Sequence, residues 1–175
     1  ANPDQAAFGS PGAGTGAHFA GLEFARTFGV EMRHVPYRGT PAALPDLMAG
    51  RLPIYLASTA ELIEHHRTGG IRILATAGSE RLPAIPDVPT LKESGVNIEA
   101  PGWFAFYAAS GTPKAVTDGL QREIAAAASA PAVRARIEAL GFQPTDPTAQ
   151  ALARVQRAEY DAWAAVVTTT GFKPA

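Results

Sequence analysis

The strongest constraint on this chain is a change of rhythm along it. Up to about residue 109, short apolar runs of strand character alternate with segments of helical spacing; after Gly111-Thr112-Pro113 only helical spacing remains. Strands separated by helices of roughly ten residues imply βαβ units on a parallel sheet, hence an α/β class. The tail then adds helices with large apolar faces, and the strands ahead of them are too few to cover those faces.

Element by element, an apolar run at 6–8 leads into the glycine-rich stretch Gly9-Ser10-Pro11-Gly12-Ala13-Gly14-Thr15-Gly16. A helix follows over 17–28, with Phe19, Leu22 and Ala25 at helical spacing and Gly29 as its stop. Residues 31–37 read as a strand. Thr40 caps the next helix, with Pro41 in the first position, an apolar stripe of Ala43, Leu44, Leu47 and Met48, and Gly50 at its end. A strand over 52–57 precedes a helix over 60–68, capped by Ser58 or Thr59, that turns Leu62 and Ile63 inward. Residues 71–77 are the clearest strand. A loop with Pro83, Pro86 and Pro89 leads to a short helix at 90–95. The aromatic segment 102–109, with Trp103, Phe104, Phe106 and Tyr107, reads as a strand that feeds the core. Three helices close the chain, marked by Val116, Leu120 and Ile124, by Val133, Ile137 and Leu140, and by Leu152, Val155, Trp163 and Val166; the last runs from about 148 to 169.

Composition removes several functions. Lys plus Arg number 15 and Asp plus Glu 16, so the net charge of −1 lacks the basic footprint of a nucleic-acid binder. A 46% hydrophobic content excludes disorder. No apolar run reaches the ~20 residues that span a bilayer. With no cysteine, disulfides, thiolate catalysis and cysteine-ligated zinc are out. The first residues carry neither a basic nor an apolar leader segment, which fits a mature or trimmed chain.

The glycine-rich stretch is the most informative local feature. As a phosphate loop it fails, because Thr15-Gly16 stand where Lys-Ser/Thr should be. As a dinucleotide fingerprint, Gly12-x-Gly14-x-x-Ala17 fits, but the acidic residue expected after the second strand is replaced by Val35-Pro36-Tyr37-Arg38. Both readings share one piece of physics: glycine backbone entering a helix exposes unpaired N–H groups at the positive end of the helix dipole. Ser10 and Thr15 add hydroxyls. A small-anion site and a plain tight turn remain equal alternatives here. At Ser58, plain N-capping is favoured over a second anion-facing helix start.

His65 and His66 are adjacent, point to different faces, and cannot chelate one metal as an i, i+4 pair would. His18 lies in the first turn after the loop, where it could meet a ligand; His34 reads as a half-buried, hydrogen-bonded residue. Asp46, Glu61 and Glu64 fall on solvated faces. No nucleophile elbow and no His-Glu-x-x-His is present, so the chain reads as non-enzymatic, with no cofactor and no metal.

Several segments, in order, resemble the periplasmic solute receptors of tripartite tricarboxylate transporters, the Bug receptors. His34-Val35-Pro36-Tyr37-Arg38-Gly39-Thr40 is similar to that family's HVPYKG segment. Asn2-Pro3, Phe8-Gly9-Ser10 and Gly14-Thr15-Gly16-Ala17-His18 are similar to its asparagine-proline and glycine-serine-histidine stretches. Arg81-Leu82-Pro83-Ala84-Ile85-Pro86-Asp87-Val88-Pro89-Thr90, Gly102-Trp103-Phe104, Gly111-Thr112-Pro113 and Gly171-Phe172-Lys173-Pro174 continue the match.

The resemblance implies one lobe of a two-lobed clamshell of the periplasmic-binding-protein type (type II-like), plus C-terminal helices. Residues 1–101 would form the second ligand-binding lobe. Residues 102–175 would be the return strand and helices that would pack on a missing first lobe and hinge. Trp163 and Val166 would then lack their partner surface, so self-association or a second chain completing the lobe is expected. The implied ligand is a small carboxylate, bound without cofactor by Ser10, Gly14, Thr15, Gly16, Ala17 and His18, with Ser58 as a further contact. Membrane transporter subunits are the implied partner and the periplasm the implied compartment. Many members carry an acidic or amide residue where this chain has Ala57-Ser58-Thr59, which points to a carboxylate without an amino group. The competing readings are a fragment of an NAD(P)-dependent oxidoreductase and a purely structural interaction domain.

Overall fold

The computed structural model describes residues 6–100 and 102–172. Its first half is organised about β1 (Ala7–Ser10), a strand whose four residues are all buried. β1 runs parallel to β2 (Arg33–Pro36), pairing Phe8 with His34 and Ser10 with Pro36. The carbonyls of Ala6 and Ser10 accept from Arg33 and Tyr37 on the β2 side. Gly9 turns the other way: its N–H donates to Ile54 O (2.9 Å) and its carbonyl accepts from Leu56 N–H (3.0 Å). The segment 54–56 therefore lies parallel to β1 on the side opposite β2, as the strand expected at 52–57 should, although only the Gly9–Tyr55 bridge is regular.

Helices fill the crossovers. α1 (Gly16–Thr27) joins β1 to β2, and α2 (Thr40–Met48) joins β2 to the 54–56 segment. Side chains alternate across a strand, so Phe8 and Gly9 look to opposite faces. Phe8 packs on α1, where a Cβ at Gly21 would run into its ring. Gly9 faces Leu52, Tyr55 and Tyr37, with its missing Cβ position 2.7 to 3.2 Å from them, and Tyr55 reaches the start of α2 through its hydroxyl on Thr40 Oγ1 (3.0 Å). Helices thus cover both faces, as a parallel sheet requires.

α3 (Thr59–Arg67) follows, and its Leu62 and Ile63 are buried as expected. Ile63 joins Ile85 and Val88 of the proline-rich loop in a compact cluster flanked by Ile73, Leu82 and Ala84. The tail forms α4 (Lys114–Ser129), which carries Val116, Leu120 and Ile124; α5 (Pro131–Ala139), with Val133 and Ile137 inside it and Leu140 at its C-cap; and α6 (Ala149–Thr170), within a residue or two of the expected 148–169.

Several expectations are corrected. Residues 71–75 form no strand; only Thr76 bridges Thr90, through Thr76 N–H to Pro89 O and Leu91 N–H to Thr76 O. Ala100 N–H adds one bond to Ala77 O (2.9 Å), but among the described residues no regular ladder forms along 71–75, and Leu74 is exposed. The helix at 90–95 is a single turn, held by a reciprocal capping box: Glu93 N–H donates to Thr90 Oγ1 and Thr90 N–H to Glu93 Oε2. The aromatic segment 102–109 is neither strand nor core, since it has no ladder partner among the described residues. Phe104 is 81% exposed and Phe106 79%. Met48 is exposed rather than part of the α2 stripe. Gly39, not Thr40, caps α2. Trp163 does find a surface: its ring lies 5.8 Å from that of Phe19 on α1.

Candidate functional site

The two parallel strands and the bridged 54–56 segment place their C-terminal ends, and so the starts of α1, α2 and α3, along one edge of the sheet. The chain steps from β1 to one neighbour and then crosses back to the other, which makes the end of β1 a topological switch point. Open α/β sheets leave a crevice at that point, and the glycine-rich loop occupies it here.

The loop is held by its own hydrogen bonds. Ser10 is fully buried; its Oγ donates to Gly12 O (3.0 Å) and lies 2.8 Å from His34 Nε2. Thr15 is the N-cap of α1: its Oγ1 donates to Gly12 O (2.8 Å) and accepts from His18 N–H (3.2 Å). Gly14 takes φ +79°, which a side chain would resist, and its N–H donates to His18 Nδ1 (3.2 Å). The N–H groups of Gly16 and Ala17 make no hydrogen bond among the described residues. Gly16 is exposed and Ala17 half-buried at the positive end of the α1 dipole.

The site residues named from sequence therefore divide. Ser10, Gly14, Thr15 and His18 build and brace the loop from within. Gly16 and Ala17 present its unpaired donors. His18 is buried beneath the loop, not aimed out of it. Ser58 is the N-cap residue of α3, as expected, on the same edge and half-buried, but its side chain makes no capping bond.

His34 is the residue the ligand reading missed. Its ring lies 4.0 Å from that of His18, with an interplanar angle of 30°, and Phe8, Phe19 and Phe172 surround the pair. Burial lowers the pKa of His18. Burial, then the charge of His18, lowers that of His34 to about 4. Both rings are neutral at pH 7. Their approach was not visible from letters 16 positions apart on different elements. Arg38, between β2 and α2, is exposed and makes no ion pair or hydrogen bond among the described residues. The bonds Tyr37 N–H to Ser10 O and Gly39 N–H to Pro11 O pin its backbone beside the glycine-rich loop.

The dinucleotide fingerprint fails on geometry as well as on its missing acid. The space beside Gly14, where a pyrophosphate would approach the second glycine, is filled by the Phe172 ring, 3.4 Å from the missing Cβ position.

Comparison with known proteins shows the family and the fold. The profile described as "Tripartite tricarboxylate transporter family receptor" matches residues 1–172. The "UPF0065 protein in tcbD-tcbE intergenic region" of Pseudomonas sp. strain P51 is 33% identical over 164 residues, covering 93% of this chain and 49% of that protein. The solved "Structure of a periplasmic transporter" superposes with a TM-score of 0.91 at 28% identity, over 98% of this chain and 58% of that one. "R. palustris Rpa4515 with adipate" gives a TM-score of 0.86 at 28% identity, over 97% and 57%. The chain spans about half the length of several curated relatives it matches, and the α/β fold it adopts is that of periplasmic binding proteins.

Proposed function

This chain belongs to the tripartite tricarboxylate transporter receptor family, and we propose that it supplies one ligand-gripping surface of an extracytoplasmic carboxylate receptor. The reading rests above all on the unpaired Gly16 and Ala17 amides, at a helix start and at the switch point of a parallel sheet. A carboxylate there accepts two N–H bonds and meets the helix dipole. Ser58 adds a hydroxyl from α3, and Arg38 a cation for a second carboxyl group. Capture, not chemistry, is the mechanism, and closure around the solute is what transporter subunits at the periplasmic membrane face would read.

Residues 1–101 act in this reading as the second lobe. The apolar faces of 102–175 pack on a first lobe of the kind that accounts for the relatives' greater length. A chain without that lobe closes its exposed faces by self-association or against a second chain, and a strictly monomeric species that binds no apolar dye overturns this part. Half a clamshell encloses little of its ligand, so affinity for the isolated chain is weak.

The test is a titration of the ¹⁵N-labelled chain with adipate, and separately with aspartate, followed by amide shifts. Saturable shifts centred on Gly16 and Ala17, weakened about tenfold by Arg38→Gln, are expected with adipate. Absence of shifts at these amides at tens of millimolar overturns the site. Tighter binding of aspartate overturns the preference for a ligand without an amino group, which rests on Ala57-Ser58-Thr59 lacking an acid to meet an ammonium.

A further inference from the structure

We propose that His18 and His34 form a proton-operated latch beneath the glycine-rich loop, with His18 as the positioning residue that fixes Gly14. The Gly14 N–H donates to Nδ1 of His18 at 3.2 Å. That bond requires a bare ring nitrogen, so His18 is neutral with its proton on Nε2. An imidazolium has no bare nitrogen, and a proton on Nδ1 replaces attraction with two N–H groups facing each other. The loop's shape is thereby tied to the charge of one buried ring.

His34 sets how easily that charge arrives. With ring centroids 4.0 Å apart, the two imidazoles cannot both be charged without strong repulsion, so they titrate as a pair. β1 presents Phe8 and Ser10, α1 presents Phe19, and Phe172 after α6 closes the side. None carries a charge, so among the described residues each ring is the other's sole titratable neighbour. The depressed values of both rings agree with this placement. A charge on His18 disfavours one on His34, and by reciprocity a charge on His34 disfavours one on His18. Ser10 Oγ, between His34 Nε2 and Gly12, extends the coupling to the start of the loop.

Below the midpoint of the pair the loop loses its Gly14 anchor, and Gly16 and Ala17 lose their fixed presentation. The consequence for a bound carboxylate, weaker holding in acid, rests on the function proposed above; the latch itself does not. The test therefore reads the loop of the ligand-free chain.

Amide resonances and hydrogen exchange of ¹⁵N-labelled protein are followed from pH 8 to pH 4. The expected result is a Gly14 amide that shifts with a midpoint below 6.5. Its exchange, corrected for intrinsic rate, should accelerate at least tenfold across that midpoint. In His18→Asn the amide oxygen takes the place of Nδ1 as acceptor but does not titrate, so the Gly14 inflection should vanish. A Gly14 amide silent over this range, or an unchanged inflection in His18→Asn, overturns the latch. If that variant fails to fold, His34→Gln decides: removing the second imidazole should raise the Gly14 midpoint, and an unchanged midpoint overturns the coupling. Loss of adipate binding with an intact Gly14 titration would count against the carboxylate site alone.

Discussion

Residues 6–100 and 102–172 carry equally regular helices but very unequal burial. The large side chains that are fully enclosed, Phe8, Ile63, Thr40, Thr90 and Ser10, all lie in the first region. α4, α5 and α6 contain no buried residue, and Leu120, Val133 and Val155 stand at least 42% exposed on faces whose spacing is that of core helices. An amphipathic pattern is enough to specify a helix; whether its apolar face is enclosed depends on a second surface. The first region has that surface in its own sheet, whereas the second touches the rest mainly through Trp163, Phe172 and the turn at Gly141 beside Thr59 and Leu82.

The sharpest way to break this contrast is truncation on each side. Phe8→Ala should cost about 3–5 kcal/mol in urea unfolding, and Leu120→Ala less than about 0.5 kcal/mol. Equal costs would mean that the tail is part of one cooperative core. Glycine replacements should differ in sign. Gly21→Ala drives a methyl into the Phe8 ring and should destabilise by about 1–3 kcal/mol. Gly119→Ala, inside α4 with only the tip of Arg122 within reach at 3.9 Å, should stabilise by up to about 1 kcal/mol.

Acid should act on one region only, because no histidine lies beyond residue 66. As pH falls through 6.5, the unfolded chain takes up a proton that folded His34, lowered to about 4, refuses. The His34 contribution to stability should therefore fall between pH 6.5 and about 4 and level off below, where protonation of Glu23, Asp46 and Glu93, whose pKa values folding lowers, continues the loss. The His34 part should be about 1–2 kcal/mol once solvent screening of a half-buried ring is allowed for. A stability that rises over this interval would contradict the burial of the pair. The smallest effect separates two equivalent caps. Thr15→Ala should lower the global midpoint by about 1 kcal/mol, whereas Thr148→Ala should speed amide exchange at the start of α6 with little change in that midpoint.

The same contrast explains what could be read from the letters. Helices were legible because periodicity, glycine stops and Pro131 at a first turn are local. The glycine-rich loop and its helix were legible for the same reason, and Thr15 caps as a threonine in that position should. Residues 71–77 and 102–109 misled because apolar and aromatic composition describes a strand's wish for a neighbour, not the neighbour. Thr76 found Thr90; Phe104 found only the edge of Phe142. Within the site, the identity of the loop was visible but its internal wiring was not. The turn of His18 inward, onto Gly14 and His34, depends on β2 lying beside β1, a contact that no spacing encodes. In the letters Arg38 is only the end of the run that replaces the expected acid; the bond from Gly39 N–H to Pro11 O sets it beside the glycine-rich loop.

Two absent methyl groups, at Gly9 on one face of β1 and at Gly21 opposite Phe8 on the other, gauge the thickness of the lobe. The strand presses its own Phe8 ring onto α1 on one face and meets Leu52, Tyr55 and Tyr37 at Gly9 on the other, and Ser10 leads from there directly into the loop. The height of the rim over the sheet is thus set by packing distances a full layer below it. Side-chain bulk added at either glycine would register first as a displaced lip, well before the lobe itself came apart.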